Sequence, residues 1–129
     1  MSVYHLGFNF PYEGFVQTRL EQYFTSEGYT LISGSHADLV CEHAQTKDRW
    51  VIEAKGKTTS IGLDFRTGLG QLLQRMDQEE VNYAVAVPDI SAFVKQVNQL
   101  PPWVRKALNL HIIYVNEEGN IKIIPPDME

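Results

Sequence analysis

Residues 50–57 read Trp-Val-Ile-Glu-Ala-Lys-Gly-Lys, WVIEAKGK, and the fold turns on how that stretch is read. Its apolar alternation is that of a strand. Side chains along a strand point to opposite faces in turn. Trp50, Ile52 and Ala54 therefore share a face that reads as core, while Arg49, Val51, Glu53 and Lys55 share the other. A carboxylate and an ammonium thus sit side by side among apolar neighbours. As a solvated ion pair they would contribute only about 0–1 kcal/mol. As part of a cation-dependent site they would carry chemistry.

The residues just upstream bear on the choice. Ala37–His43 also alternates, with Asp38, Val40 and Glu42 on one face and Leu39, Cys41 and His43 on the other. Ala44–Lys47 has hairpin-loop length and polarity. A hairpin centred there pairs residues whose numbers add to about 91, which sets Asp38 opposite Glu53. Directly opposed residues have Cβ atoms roughly 4.5–5.5 Å apart. Two carboxylates that close repel unless a positive charge lies between them. Mg²⁺ suits such a pair, since it takes one or two protein carboxylates, keeps several waters and accepts phosphate oxygens. Lys55, on the same face, would position or deprotonate a water and offset phosphate charge.

Around this hairpin the chain reads as an α/β domain with a mixed central sheet flanked by helices. Residues 11–27 have a helical pattern with Phe15, Leu20, Tyr23 and Phe24 near one face, and Gly28 placed to stop it. Tyr29–Ile32 is a short strand closed by Ser33-Gly34-Ser35. A second helix is expected over Leu63–Glu79, with Leu69, Leu72, Leu73 and Met76 as its buried stripe. Val81–Val87 is a strand, and Ser91–Gln99 a helix capped by Asp89 or Ser91. Pro101-Pro102 breaks the pattern. Leu110–Val115 and Ile121–Ile124 are strands. The order is helix, three strands, helix, strand, helix, strand, strand.

The chain has 129 residues, 43% of them hydrophobic, enough for one domain spanning residues 1–129 with a core of its own. No apolar run is long enough to span a bilayer. The opening MSVYHLGFNF has no basic start, continuous apolar centre or small-residue cleavage site, so no signal peptide is expected and the cytoplasm is the expected compartment. The lone Cys41 excludes an intramolecular disulfide. A net charge of −5 argues against an extended, sequence-independent grip on nucleic acid, which depends on Lys and Arg neutralising phosphates. The basic residues nevertheless gather in the middle third: Lys47, Arg49, Lys55, Lys57, Arg66 and Arg75.

Asp38, a hairpin and then Glu53-Ala54-Lys55 resembles the Asp…(Asp/Glu)-x-Lys motif of the PD-(D/E)xK restriction-endonuclease-like nuclease superfamily, which includes Holliday junction resolvases. That core, helix, three strands, helix, strand, matches the order read here up to Val87. The resemblance implies a metal-dependent DNA endonuclease using Mg²⁺ or Mn²⁺. It implies Asp38 and Glu53 as catalytic metal ligands, with the Ala54 carbonyl contributing, and Lys55 as the catalytic lysine. Gln71, after Gly68-Leu69-Gly70, would orient a water or the scissile phosphate, and Glu13 would be an outer metal partner. Where many members carry a proline before the aspartate, this chain has Ser35-His36-Ala37. Cutting both strands of a duplex calls for two active sites and hence a homodimer, with the C-terminal strand and Pro101-Pro102-Trp103 as its candidate interface.

Each residue also has a plainer explanation. Asp38 would serve as a turn residue, Gln71 as a solvated helix position, and Glu13 as a complement to the helix dipole. Lys57, Arg66 and Arg75 would serve equally as phosphate contacts or as a solvated helix face, and Cys41 as inert packing. Two other functions therefore stand beside the nuclease. One is a catalytically residual domain that serves as a binding or assembly module for a partner protein. The other is a fold whose carboxylates are surface charges only.

Overall fold

A computed structural model describes residues 8–127. Residues 1–7, which hold most of the segment behind the signal-peptide expectation, lie outside the described residues. The order is α1 (Glu13–Ser26), β1 (Tyr29–Leu31), β2 (Leu39–His43), β3 (Arg49–Ala54), α2 (Ile61–Leu73), β4 (Asn82–Pro88), α3 (Ser91–Val97), α4 (Pro102–Leu108), β5 (Leu110–Val115) and β6 (Ile121–Ile124). The described strands form one six-stranded sheet in sequential order. β1, β2 and β3 are an antiparallel meander. β3, β4 and β5 run parallel, and β6 returns antiparallel to β5. This is the mixed α/β architecture expected from the sequence.

Both faces of the sheet are covered, which is why β4 reads as an unbroken apolar run. On one face Val16, Leu20 and Phe24 of α1 pack on Leu39, Cys41, Trp50, Ile52, Ala54, Ala84 and Ala86. On the other, α2 and α3 bring Phe65, Leu72, Phe93 and Val97 onto Val85, Val87 and Ile112, with Val51 alongside. In α1 the deepest residues are Val16, Leu20 and Phe24, one every four positions, while Phe15 and Tyr23 flank them. Burial pushes the Cys41 thiol up to about 12, so it stays protonated and inert.

The second helix differs from expectation. It ends at Leu73, and its buried stripe is Phe65, Gly68 and Leu72, while Leu73 is exposed. The apolar spacing alone did not reveal that a glycine faces the sheet and sets the rotation of the helix. Past the helix end, the N–H groups of Asp77 and Gln78 donate to the Tyr83 hydroxyl at 3.2 Å each, which holds the chain in a turn. The break at Pro101-Pro102 proves to be a new helix, α4, with proline in its first turn and Asn109 in the left-handed conformation (φ 54°) at its end. Proline suits a first turn because the N–H it lacks would be unpaired there. α3 is preceded by Ile90 and has no side-chain cap, so neither Asp89 nor Ser91 serves as one.

The hairpin is pinned at its loop end by one carboxylate. Asp48 accepts hydrogen bonds from the Tyr29 hydroxyl (2.6 Å), the Trp50 indole N–H (3.2 Å) and the Asn82 amide (2.9 Å), tying β1, β3 and β4 together. Asp48→Ala removes all three acceptor contacts. The expected cost is about 2 kcal/mol, from roughly 1 kcal/mol per bond discounted for exposure. Chemical denaturation checks it, and an unchanged midpoint would show the network to be ornamental.

Candidate active site

The β2–β3 ladder pairs Leu39 with Ile52, Val40 with Val51, Cys41 with Trp50 and Glu42 with Arg49. All of these pairs add to 91, the register read from the sequence. Asp38 stands one step before the ladder, at the position facing Glu53. Its carboxylate Oδ2 accepts the Ala54 N–H at 2.9 Å, extending the strand pairing through a side chain. The Asp38 carbonyl in turn accepts the Gln17 amide of α1 at 2.6 Å. Asp38 is therefore held from both sides.

Glu53 is 4% exposed, on the α2 face of the sheet beside Val51. Burial foremost, and then the Asp38 charge, raise its carboxyl to about 7, while Arg75 and Lys55 pull the other way. Its Oε1 has no hydrogen-bond partner. The nearest cation is the Arg75 guanidinium, whose Nη1 stands 3.8 Å away, beyond hydrogen-bond reach.

This shift makes stability depend on pH. The folded value, about 7, lies above the ordinary 4.5, so between these values the folded chain binds more protons than the unfolded one. Stability of the metal-free protein should then be greatest at the acid end of this window and fall as pH rises through about 7. Denaturant unfolding with a chelator present, from about pH 5 to about pH 8, measures it. Glu53→Gln should flatten the slope, and an equal slope in the variant would refute this origin.

Lys55 follows β3, with its N–H donating to the Ala86 carbonyl at 2.9 Å. Its aliphatic arm lies on Gly68 of α2, where an added Cβ would come within 2.5 Å of Lys55 Cε. Its charge acts on both Glu53 and Glu13, lowering each carboxyl against the effect of burial. The site sits at the carboxyl end of the parallel strands, where open α/β sheets characteristically bind ligands. A cleft of about 320 Å³ opens beside Asp38, between Glu21 and the loop formed by residues 32–38.

Glu13, in the first turn of α1, is exposed as a residue. Its carboxyl is nonetheless raised, by partial burial first, then by the Asp38 charge, with Lys55 opposing and Asp64 adding. It belongs to the electrostatic surroundings of the pair. Among the described residues, no three His, Cys, Asp or Glu side chains gather in a way that could hold a metal ion. Gln71 is exposed on α2, between Gly68 and Arg75, each about one helical turn away. Its carbonyl accepts Arg75 Nη1 at 2.7 Å.

The basic residues of the middle third separate. Lys47 and Arg49 lie at the hairpin end of β3, with Arg49 paired to Glu42 at 3.3 Å. Lys55 lies at the opposite end of the strand, roughly 20 Å away at 3.3–3.4 Å per residue. The sequence reading undervalued Arg75. It contacts Glu53, and its Nη2 donates to the His36 carbonyl at 3.0 Å. Arg75 lies in the turn just past the end of α2, so its spacing from Gln71 carried no signal for this contact.

No helix among the described residues is long and apolar enough to cross a membrane. No family model matches the chain, and no curated protein matches it by sequence. Among solved structures, the fold is similar to the crystal structure of an XisH family protein from Nostoc punctiforme PCC 73102. The TM-score is 0.58 with 19% identity, over 84% of this chain and 98% of that one. At that identity the likeness is one of fold.

Proposed function

We propose that the protein is a Mg²⁺- or Mn²⁺-dependent phosphodiesterase that cleaves DNA, built on the PD-(D/E)xK restriction-endonuclease-like core. The observation that carries this reading is the approach of two carboxylates, Asp38 and Glu53, next to Lys55 at the carboxyl end of β3. A buried, unpartnered carboxylate oxygen beside a second carboxylate is a poor choice for stability. It fits a hard cation that takes few protein ligands and keeps several waters.

Asp38 and Glu53 would hold the ion, the Ala54 carbonyl would assist, and Glu13 would act from outside the ligand set. When bound, a divalent cation supplies a more acidic water and neutralises phosphate charge. Lys55 holds a positive charge where the phosphoryl oxygens gain negative charge in the transition state, and it fixes the attacking water by hydrogen bonding. Water oxygen bonds to phosphorus and gives up one proton to solvent, the bond to the leaving sugar oxygen breaks, and that oxygen takes up a proton from solvent. Gln71, on the open face of α2, would orient the water or the phosphate. Trp103, 72% exposed at the start of α4, supports a homodimer through that surface, giving two sites on a duplex.

A second reading is favoured by the charge distribution. The net charge is −5, and Lys47 and Arg49 lie away from the site, so the chain has little basic surface with which to hold DNA by itself. A partner protein would then supply the grip, and the domain would serve as an assembly module. Incubating supercoiled, linear and branched DNA with Mg²⁺ or Mn²⁺ separates the readings. Cation-dependent cleavage of any of them supports the first. Cleavage of none, together with isolation of a stable protein partner, supports the second.

A further inference from the structure

Arg75 joins three parts of the site. Its Nη1 donates to the Gln71 carbonyl at 2.7 Å and its Nη2 to the His36 carbonyl at 3.0 Å, which anchors the loop leading to Asp38 onto the end of α2. The same guanidinium faces Glu53 Oε1 at 3.8 Å, with the two side chains 25% and 6% exposed. Charge-assisted hydrogen bonds ordinarily close to about 2.7–2.9 Å. Here the pair compensates charge without bonding, so Glu53 Oε1 and Arg75 Nε both lack partners. A mostly buried ion pair of such geometry is weak support for stability, because desolvation offsets the attraction. Its value lies in what the open oxygen can bind and what the open N–H can donate to.

We propose that Arg75 is the resting counter-ion of the Asp38–Glu53 pair, that a divalent cation and the guanidinium exclude each other at Glu53 Oε1, and that the released Arg75 becomes a phosphate contact. This rests on reading the site as a cation-dependent phosphodiesterase. Asp38, Glu53, Lys55 and Arg75 bring two carboxyl groups and two cationic groups to the inner site. A divalent cation added to that set leaves an excess of positive charge and repels the guanidinium from Glu53. The anion that can then satisfy both is a DNA phosphate. Cation and DNA binding thus become mutually reinforcing, as linkage requires when each favours the same arrangement. Arg75 is in this sense a positioning residue for the resting site and a substrate contact in the loaded one.

The test is a calorimetric titration of the DNA-free protein with Mn²⁺, comparing wild type, Arg75→Gln and Arg75→Lys. Arg75→Gln should bind the ion more tightly, on the order of tenfold, because the competitor is gone. Arg75→Lys keeps the charge and should stay near wild type. Unchanged or weaker binding by Arg75→Gln overturns the competition while leaving the carboxylate site intact. Absence of binding by every form, wild type included, overturns both this inference and the phosphodiesterase reading. Should Arg75→Gln not fold, the wild-type Arg75 Nε–Hε resonance is the readout. It should shift as Mn²⁺-free Mg²⁺ is added, and a resonance unmoved at saturating Mg²⁺ overturns the proposal.

Discussion

Lys55→Ala should lower cation-dependent DNA cleavage by about 100- to 10,000-fold, the range for loss of a positioned proton-transfer or charge-stabilising group. The fold should survive the change. The hydrogen bond from residue 55 to the Ala86 carbonyl is made by main-chain atoms, and the side chain is only half-buried along Gly68. Lys55→Arg should not rescue the rate. The arm lies so close to Gly68 that a bulkier, planar head has to sit elsewhere, and a guanidinium does not give up a proton near neutral pH. Lys122→Ala, an exposed change on β6 at the edge of the sheet, serves as control and should leave the rate unchanged. Equal cleavage by wild type and Lys55→Ala would remove Lys55 from the chemistry, and with it the main functional content of the Glu53-Ala54-Lys55 stretch.

Why the site was legible at all follows from the hairpin. A register is fixed once the loop is located, because a slip of one residue would turn Leu39, Cys41, Trp50 and Ile52 out of the core. The polar run Ala44–Lys47 located the loop, so the opposition of Asp38 and Glu53 followed from counting. The strands of the C-terminal half were equally readable, since β4 and β5 are buried runs bounded by Pro88, Asn109 and Asn116. What could not be read was how helices rotate and end. The rotation of α2 depends on Gly68 meeting the Lys55 arm, a tertiary contact with no mark in the apolar spacing. α4 was hidden because its proline signals a break and a start equally. Arg75 was missed for a related reason. Its significance comes from Glu53 and His36, which are 22 and 39 residues away in the chain, and a charged residue past a helix end resembles any solvated one.

Among the described glycines, Gly56 should be the one where alanine does the most damage. Gly56 directly follows the Glu53-Ala54-Lys55 motif, and its α-carbon presses on the start of α1. A Cβ there would overlap the Glu13 nitrogen and lie 2.5 Å from Glu13 Cα and from the Tyr12 carbonyl carbon. These are backbone atoms, so no side-chain rotation relieves the clash, and the Lys57 N–H to Pro11 carbonyl bond (2.9 Å) binds the two segments together at this point. The chain must separate α1 from the end of β3. That should cost about 3 kcal/mol or more, at or above the upper end of overpacking penalties, and lower Tm by about 10 °C or more. Gly70→Ala is the matched comparison. It is a glycine-to-alanine change within α2, where an added Cβ meets nothing within 4 Å, so helix propensity should raise stability by up to about 1 kcal/mol. Opposite signs in the two thermal scans are expected, and a harmless Gly56→Ala would mean α1 does not dock as described. The consequence reaches the chemistry, because α1 carries both Glu13 and Gln17, and Gln17 holds the Asp38 carbonyl. Loosening α1 therefore frees Asp38 on its main-chain side. Gly56→Ala protein that remains folded at low temperature should bind Mn²⁺ more weakly than wild type, linking the glycine after the motif to the carboxylate before the hairpin.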